Sequence, residues 1–330
     1  MAEEIAGTDN LRVLMNELGK KCEPFLFLID YRMEKGVVLP LADMPGSGLS
    51  CCIGEKSYGP LPEYGATRTE INIEPVAMTE YAAAFGNVAD KIRRGDSYLV
   101  NLTFRTPIGR HVDMAHVFRH ASAPYRFLWP DRFVFFSPES FVRIDADGTI
   151  RSYPMKGTAD ASLPDAENRL LSDYKERCEH NTIVDLIRND LSAVADNVRV
   201  GRFRYIEKIR THRGELLQSS SEVSGRLPHG WRNRLGDIIF ALLPAGSISG
   251  APKRRTVEII EESETAPRGY YTGVMGVYEN GGLESCVAIR FIEKDASGEY
   301  YYRSGGGITS CSIMENEYEE MLGKIYVPIV

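Results

Sequence analysis

Short segments of this chain alternate apolar with polar residues, and each of them predicts a β-strand. A spacing of two sends successive side chains to opposite faces, so one face of each strand is buried. These segments are residues 98–105, 132–136, 141–144, 202–209, 216–223, 271–278, 286–292 and 300–303, and a further apolar run covers 25–30. The turn sequences Asp147-Gly148 and Asn280-Gly281-Gly282 separate neighbouring segments and favour antiparallel hairpins.

Other segments repeat their apolar residues with the 3.6-residue spacing of a helix. The longest such segment covers residues 164–195, and further helices are predicted at 80–94, 235–242, 253–262 and 314–326. Strands and helices do not alternate in a regular β-α-β order. The pattern therefore predicts an α+β fold, in which antiparallel sheets form a sandwich-like core and helices cover the outside.

Composition limits the classes of function. The chain has 330 residues and is 43% hydrophobic, with no internal repeat and no linker-like tract, which favours one domain over residues 1–330. A net charge of −7 offers no field that attracts polyanions, so nucleic acid is not an expected partner. The acidic start and the lack of any apolar run of membrane-spanning length predict a cytoplasmic location. Six scattered cysteines without CxxC spacing indicate neither a zinc site nor a disulfide framework.

The first candidate for chemistry is Lys156, in the segment Pro154-Met155-Lys156-Gly157-Thr158. Proline fixes the backbone before this lysine, and glycine after it allows close approach to a ligand. A lysine attacks as the neutral amine, so an apolar surround or a neighbouring cation should lower its pKa. Taken alone, the segment favours a solvated surface lysine, since most lysines are solvated.

Carboxylates at helical spacing form a second candidate site. Glu317, Glu320 and Lys324 share one helix face, and Glu176 and Glu179 stand in the same i,i+3 relation on another helix. If the two faces converge, their oxygens suit Mg²⁺, which binds a few carboxylates together with water and ligand oxygens. The alternative for each glutamate is an ordinary solvated helix face.

Two glycine-rich segments complete the candidates. Residues 244–253 precede a predicted helix and offer backbone amides, but their glycine spacing is wrong for a phosphate-binding loop. Gly305-Gly306-Gly307 follows a predicted strand, where the backbone could approach a carboxylate. A tight turn explains the three glycines equally well.

Taken in order, these segments resemble a known family, the chorismate-utilising enzymes. The resemblance covers about residues 80–324. The matching segments are residues 98–103, Ser137-Pro138-Glu139, residues 154–158, residues 179–191, residues 244–253, residues 305–308 and residues 317–324. The resemblance implies an anthranilate synthase component I-like fold, with an amino-terminal part of about 80 residues that is shorter than in many members.

Two positions separate the reactions of the family. The chain resembles aminodeoxychorismate synthases in having lysine at position 156, where anthranilate synthases usually have alanine. Members that add water to chorismate place a lysine base at the position of Leu99, and leucine cannot activate water. The resemblance therefore implies an aminodeoxychorismate synthase component I, which makes a precursor of p-aminobenzoate and folate. The alternatives are an anthranilate synthase component I and a catalytically silent chorismate-binding scaffold.

The resemblance also implies roles for individual residues. Lys156 would attack C2 of chorismate, Glu139 would protonate the departing C4 hydroxyl, and ammonia would then displace the lysine. Mg²⁺ would be held by Glu179, Glu317 and Glu320. The residues placed on the substrate are Tyr271, Arg290, Ser247, Gly305, Gly307, Lys324 and Thr158. Many relatives have a histidine at the position of Gln218, and glutamine cannot act there as an acid or base.

The source of ammonia is the last inference from the sequence. The chain lacks the cysteine nucleophile in a glycine-flanked turn, with supporting His and Glu, that a glutaminase requires. A separate glutamine amidotransferase subunit is therefore the expected partner, as the resemblance implies.

Overall fold

The structure is a computed structural model that describes residues 2–65, 69, 71–211 and 214–328. Its strands are β1 (Ile5–Ala6), β2 (Phe25–Ile29), β3 (Lys35–Pro40), β4 (Ser50–Ile53), β5 (Lys56–Tyr58), β6 (Leu99–Pro107), β7 (Tyr125–Trp129), β8 (Phe133–Ser137), β9 (Ser140–Ile144), β10 (Thr149–Ser152), β11 (Met155–Asp160), β12 (Asp196–Thr211), β13 (Gly214–Arg226), β14 (Gly250–Ala251), β15 (Val274–Glu279), β16 (Gly282–Val287), β17 (Phe291–Lys294) and β18 (Tyr300–Ile308). Its helices are α1 (Thr8–Lys20), α2 (Met44–Ser47), α3 (Met78–Arg93), α4 (Met114–His120), α5 (Ala166–Ser172), α6 (Tyr174–Ser192), α7 (Leu235–Leu242), α8 (Lys253–Ser263) and α9 (Met314–Gly323). Short 3₁₀ turns cover Leu41–Asp43, Trp231–Arg234 and Gly246–Ile248.

The strands form two antiparallel sheets, as the sequence predicts. The first sheet has the order β1-β3-β2-β15-β16-β9-β10-β13-β11, and β12 pairs with β13 beside it. The second has the order β14-β6-β18-β17-β8-β7-β4-β5. The α+β class is thereby confirmed, and strands from the first 60 residues belong to both sheets.

Strand β2 shows how one strand builds a layered core, because its successive side chains point to opposite faces of the sheet. Phe25, Phe27 and Ile29 pack with residues of helices α1, α6 and α7 on the outer face of the first sheet. Leu26 and Leu28 point the other way and pack against the second sheet. All five side chains are fully buried. Burial of one such side chain stabilises the fold by about 1.5–3 kcal/mol, so a shift of register by one residue would be strongly disfavoured.

The hairpins expected at the turn sequences are present. Strands β9 and β10 pair across Asp147-Gly148, and β15 pairs with β16 across Asn280-Gly281. Asn280 and Gly281 both have positive φ, of 51° and 75°. A two-residue hairpin turn of this kind needs positive φ at both positions, and Asn-Gly supplies it at low cost.

Two predicted elements are divided in the structure. The helix expected over residues 164–195 is broken between α5 and α6 at Asp173, whose side chain accepts the N–H of Glu176 and caps the second helix. The strand expected over 286–292 is two strands, because β16 ends at Val287 in the first sheet and β17 begins at Phe291 in the second. Between them Arg290 adopts a left-handed φ of 54°. The crossing brings Arg290 to a cavity that contacts both sheets.

The described residues contain no helix that is both long and apolar enough to cross a membrane. Helix α6, the longest of the helices, carries charged residues along its length and packs against β11, β12 and β13. It reaches the cavity with one of its faces.

Candidate active site

A cavity of about 750 Å³ lies between β11 and α6 on one side and β6 and β18 on the other. This volume is in the range of sites that enclose a small organic ligand. The predicted site residues that line the cavity are Lys156, Glu139, Glu179, Ser247, Tyr271, Arg290, Gly305, Gly307 and Lys324. Folding therefore brings together residues that are up to 185 positions apart in the chain, from Glu139 to Lys324.

Lys156 lies on β11 and directs its amine towards the cavity. Its Nζ is 2.8 Å from Oε2 of Glu179 on α6. Burial lowers the pKa of Lys156, but the carboxylates of Glu179, Glu320 and Glu176 raise it by more, and the net shift is upward. The sequence-based expectation of a lowered pKa is therefore not met in this structure. The reason is that acidic helix faces, and not apolar residues alone, surround the amine.

The backbone next to Lys156 departs from regular strand geometry. The pairing of β11 with β13 shifts between Met155 and Thr158, and Gly157 has a φ of 88°. A Cβ at position 157 would lie 2.7 Å from Oε2 of Glu176 and would strain the backbone at this positive φ. Past this bulge Thr158 is exposed and does not line the cavity. Thr158 thus lies outside the cavity lining, and its assignment as a substrate-binding residue stays a prediction.

Gln218 lies opposite Thr158 in the pairing of β11 with β13. It is half-buried and, like Thr158, is absent from the cavity lining. Gln218 therefore contributes no side chain to the lining of the cavity.

Glu139 follows β8 in the segment that leads into β9, and it lines the cavity. Ser247 donates a short hydrogen bond to its carboxyl group. Burial raises the pKa of Glu139, while Ser247 and the cations of Arg290 and Lys324 partly oppose the increase. The carboxyl group therefore keeps its proton to a higher pH than a solvated glutamate does, as an acid catalyst requires.

Arg290 and Tyr271 line one end of the cavity. The Nε atom of Arg290 is buried and has no hydrogen-bond partner among the described residues. Its guanidinium carbon lies 5.5 Å from the ring centroid of Tyr326. Tyr271 is 4% exposed, and burial raises the pKa of its hydroxyl to about 12, so it stays neutral and can donate. A buried guanidinium N–H without a partner suits a carboxylate ligand.

The backbone of Gly305 and Gly307 is also oriented for binding. Opposite them on β6, the N–H groups of Thr103 and Asn101 donate to Glu264 and Ser249 instead of to β18. In an antiparallel pair, residues opposite such positions point their own N–H and C=O groups away from the partner strand. In agreement, the carbonyl of Gly305 accepts a hydrogen bond of 2.7 Å from Nζ of Lys324.

Three carboxylates approach the cavity from two helices. Glu179 on α6 pairs with Lys156, and Glu320 on α9 pairs with Lys324 at 2.7 Å. Glu317, which is 6% exposed, accepts a hydrogen bond from Ser312. Burial lowers the pKa of Lys324, and the cations of Arg290 and Lys156 add to this effect.

The chemistry of these carboxylates fits a magnesium ion, which prefers a few hard oxygen ligands. A Cβ at Gly306 would lie 3.5 Å and 3.6 Å from oxygens of Glu317 and Glu320, so the glycine leaves the two carboxylates an open approach to the cavity. Within the described residues, however, no three His, Cys, Asp or Glu side chains are already grouped to hold a metal ion. Ion binding would require Glu179 and Glu320 to exchange their lysine partners for the metal, and Glu317 to turn from the Ser312 hydroxyl.

Sequence reasoning did not identify a buried ion pair beneath the cavity. Arg268 and Glu264 are 2.6 Å apart, with side chains 1% and 5% exposed. Arg268 also donates to the carbonyls of Ile248 and Asn101, and therefore fixes the two segments that carry Ser247 and Leu99. Glu264 precedes this arginine by only four residues, but Ile248 and Asn101 become its partners only through folding, so no local motif marks the arginine.

Lys253, the last residue of the glycine-rich segment 244–253, links this segment to helices α6 and α7. Lys253 pairs with Asp190 of α6 at 2.8 Å and donates to the carbonyl of Leu242. These contacts engage its ammonium group within the protein. They agree with the poor match of this segment to a phosphate-binding loop.

Comparison with known proteins links this geometry to a family. The family model described as chorismate binding enzyme matches residues 58–329. An uncharacterized PabA-like protein of Pasteurella multocida is 48% identical over 95% of this chain and 97% of its own length. Anthranilate synthase component 1 of Haloarcula marismortui is 37% identical over 74% of this chain, which spans only 51% of that protein. The crystal structure of anthranilate synthase component I from Streptococcus pneumoniae matches with a TM-score of 0.66 and 28% identity, over 78% of this chain and 59% of that one.

Proposed function

This chain belongs to the chorismate-binding enzyme family, and we propose that it is an aminodeoxychorismate synthase component I, which converts chorismate and ammonia to 4-amino-4-deoxychorismate for p-aminobenzoate and folate synthesis. One observation carries the proposal. The amine of Lys156 lines the same cavity as the buried acid Glu139 and the partly unpartnered Arg290. A nucleophile, an acid and a carboxylate-binding group are the parts that this reaction needs.

Substrate binding in the proposal uses groups that the fold has already oriented. Arg290 Nε and the Tyr271 hydroxyl donate to the enolpyruvyl carboxylate, assisted by the N–H groups of Gly305 and Gly307. Their burial strengthens these hydrogen bonds, because little water competes with the ligand. Ser247 and Lys324 also contact the substrate, and Nζ of Lys324 lies beside Gly305, whose carbonyl it already binds. Several contacts of this kind would hold the ring at a fixed distance from Lys156.

The bond changes balance without an oxidant. The neutral Lys156 amine forms a C–N bond at C2 of the ring while the C4–O bond breaks and the double bond shifts. Glu139 gives its proton to the departing oxygen, which leaves as water. Ammonia then forms a C–N bond at C4 and passes one proton to the Glu139 carboxylate, while the C2–N bond to Lys156 breaks and the neutral amine is released.

The proposal includes a magnesium ion held by Glu179, Glu317 and Glu320. When bound, the ion supplies Lewis-acid polarisation of the ring carboxylate. Loss of the Glu179 carboxylate as a partner would also remove the main charge that keeps Lys156 protonated. In this way the acidic cluster would serve both substrate binding and activation of the amine.

Leu99 supports amination over hydration of the substrate. Its side chain lines the cavity, and a Cβ at the neighbouring Gly307 would lie 3.0 Å from its Cδ1. An aliphatic side chain at this point can neither bind a water molecule nor remove its proton. Formation of anthranilate remains the second candidate, because relatives that make it share much of this sequence.

Ammonia would come from a separate glutamine amidotransferase subunit. The sequence contains no glutaminase site, so the chain alone should use ammonium salts and not glutamine. A transient or a stable complex would each meet this need.

Incubation with chorismate, MgCl₂ and ammonium chloride should yield a product that contains nitrogen and retains the enolpyruvyl group. Mass spectrometry identifies the product, and a coupled lactate dehydrogenase assay detects pyruvate. Aminodeoxychorismate formation releases no pyruvate, whereas anthranilate formation releases one pyruvate per product and gives blue fluorescence. Glutamine in place of ammonium, and EDTA in place of MgCl₂, should each abolish the product. Pyruvate release, a nitrogen-free isomer of chorismate, or no turnover at all would refute the proposal.

A further inference from the structure

The side chain of His180 lies behind Lys156 and is completely buried. It follows Glu179 directly on α6, and its Nε2 atom is 2.6 Å from Oγ of Ser221 on β13. Ser221 is also fully buried, and its N–H donates to the carbonyl of Pro154, two residues before Lys156. One serine thus connects the metal-site helix to the strand that carries the candidate nucleophile.

The hydrogen bonds of Ser221 allow His180 to carry its proton on Nδ1. Oγ of Ser221 accepts the backbone N–H of Arg204, and the serine O–H can at the same time donate to His180 Nε2. A neutral imidazole that accepts at Nε2 carries its hydrogen on Nδ1. That buried nitrogen makes no hydrogen bond within the described residues, but the main chain of Lys156 lies near enough to oppose the lowering of the imidazole pKa that burial causes.

Backbone carbonyls hold Arg204, the other hydrogen-bond partner of Ser221, in place. Arg204 is 8% exposed, and its guanidinium donates to the carbonyls of Leu170 and Leu171 at the end of α5, both at 2.8 Å. Arg204 has a left-handed φ of 47° within a bulged part of β12. The donor that orients Ser221 is therefore itself held by another helix.

We propose that His180 is a positioning residue, which uses its Nδ1–H and Ser221 to hold the Lys156 main chain so that the amine can reach C2 of the substrate. The inference rests on the function proposed above. Contacts at an active site are often long before the substrate binds and become shorter in the complex. As Lys156 leaves Glu179, the Nδ1–H of His180 is placed to complete its bond to the backbone at the bulge before Gly157. His180 does not contact the substrate in this account.

Two substitutions separate positioning from packing. His180→Leu removes both polar contacts, and His180→Asn keeps an N–H donor near the position of Nδ1. We expect His180→Leu to lower kcat for chorismate by about 10²-fold with little change in KM, because a displacement of about 1 Å can have this effect. His180→Asn should recover most of the lost kcat. Phe203→Leu is the matched control, since Phe203 only packs edge-on against the imidazole ring, and it should leave kcat unchanged.

A second measurement does not depend on turnover. N-hydroxysuccinimidyl acetate acylates free amines, and mass spectrometry of peptides gives the rate at Lys156. In His180→Leu the amine should be less well held against Glu179 and should react several-fold faster than in the native chain and in Phe203→Leu. Thermal unfolding of each variant shows that the fold is retained.

The outcomes distinguish the two proposals. Faster acylation in His180→Leu, with no aminodeoxychorismate made by the native chain, would support positioning and refute the proposed function. Native-like kcat and acylation in His180→Leu would overturn the positioning role. So would an equal loss of kcat in His180→Leu and His180→Asn together with a raised KM, since that is the result of a general packing defect.

Discussion

Lys156→Ala should lower the rate of aminodeoxychorismate formation by at least about 10⁴-fold, while chorismate still binds. This is the upper end of the loss caused by removing an acid or base, and the alanine side chain cannot form the bond that the amine forms. Lys156→Arg should be equally inactive, although it keeps a cation beside Glu179, because a guanidinium is not deprotonated in proteins. Initial rates at saturating chorismate and ammonium measure both effects.

The two Lys156 substitutions together separate nucleophilic from electrostatic roles. Lys20→Ala is a matched control, since Lys20 is exposed on α1 and does not line the cavity. It should have native activity. If Lys156→Arg retains more than about a tenth of the native rate, the lysine acts only through its charge, and the covalent route is wrong.

Glu139→Gln should lower kcat by about 10²- to 10⁴-fold, the range for loss of a positioned general acid. Glutamine keeps the size of the side chain and can still accept a hydrogen bond from Ser247 through its carbonyl oxygen. It cannot give a proton to the departing hydroxyl. Steady-state kinetics of the variant, with Glu17→Gln on the exposed surface of α1 as control, measure the loss.

The pH dependence of kcat provides a second test of the acid role of Glu139. Because burial raises its pKa, the protonated acid persists to a higher pH than it would for a solvated glutamate, and kcat should fall as the pH rises through this raised pKa. Glu139→Gln has no proton to lose and should lack this descending limb. A descending limb of the same midpoint in Glu139→Gln would assign it to another group.

The sequence predicts an element of the fold well where the burial of that element alone decides its pattern of apolar residues. The apolar run in residues 25–30 yields β2 with its two faces in different cores, and the predicted helix at 235–242 has the same bounds as α7. The single strand predicted over residues 286–292 is wrong, because this segment stays largely apolar while the chain crosses from one sheet to the other. Hydrophobicity records burial but not which sheet a strand joins.

The site is predictable to the extent that single residue types carry the chemistry. Lys156, Glu139 and Arg290 line one cavity, as the resemblance implies. Thr158 does not line it, because a bulge at Gly157 changes which side of β11 faces the ligand. Such bulges depend on the pairing of strands distant in sequence, which no local pattern records.

The electrostatic state of Lys156 could not be predicted either. Its pKa depends on helices α6 and α9, whose carboxylates approach it only after folding. The same is true of His180 and Ser221, which are 41 positions apart in the chain. The sequence contains both residues but gives no sign of their contact.

The bond between Lys156 and the substrate can be detected directly. The native chain is mixed with chorismate and MgCl₂ without ammonium, quenched in acid, and examined by intact-protein and peptide mass spectrometry. The account predicts an added mass equal to one chorismate less one water, located on the peptide that contains Lys156, and its loss when ammonium is added before the quench. An unmodified Lys156 in a preparation that forms aminodeoxychorismate at full rate once ammonium is supplied would contradict it.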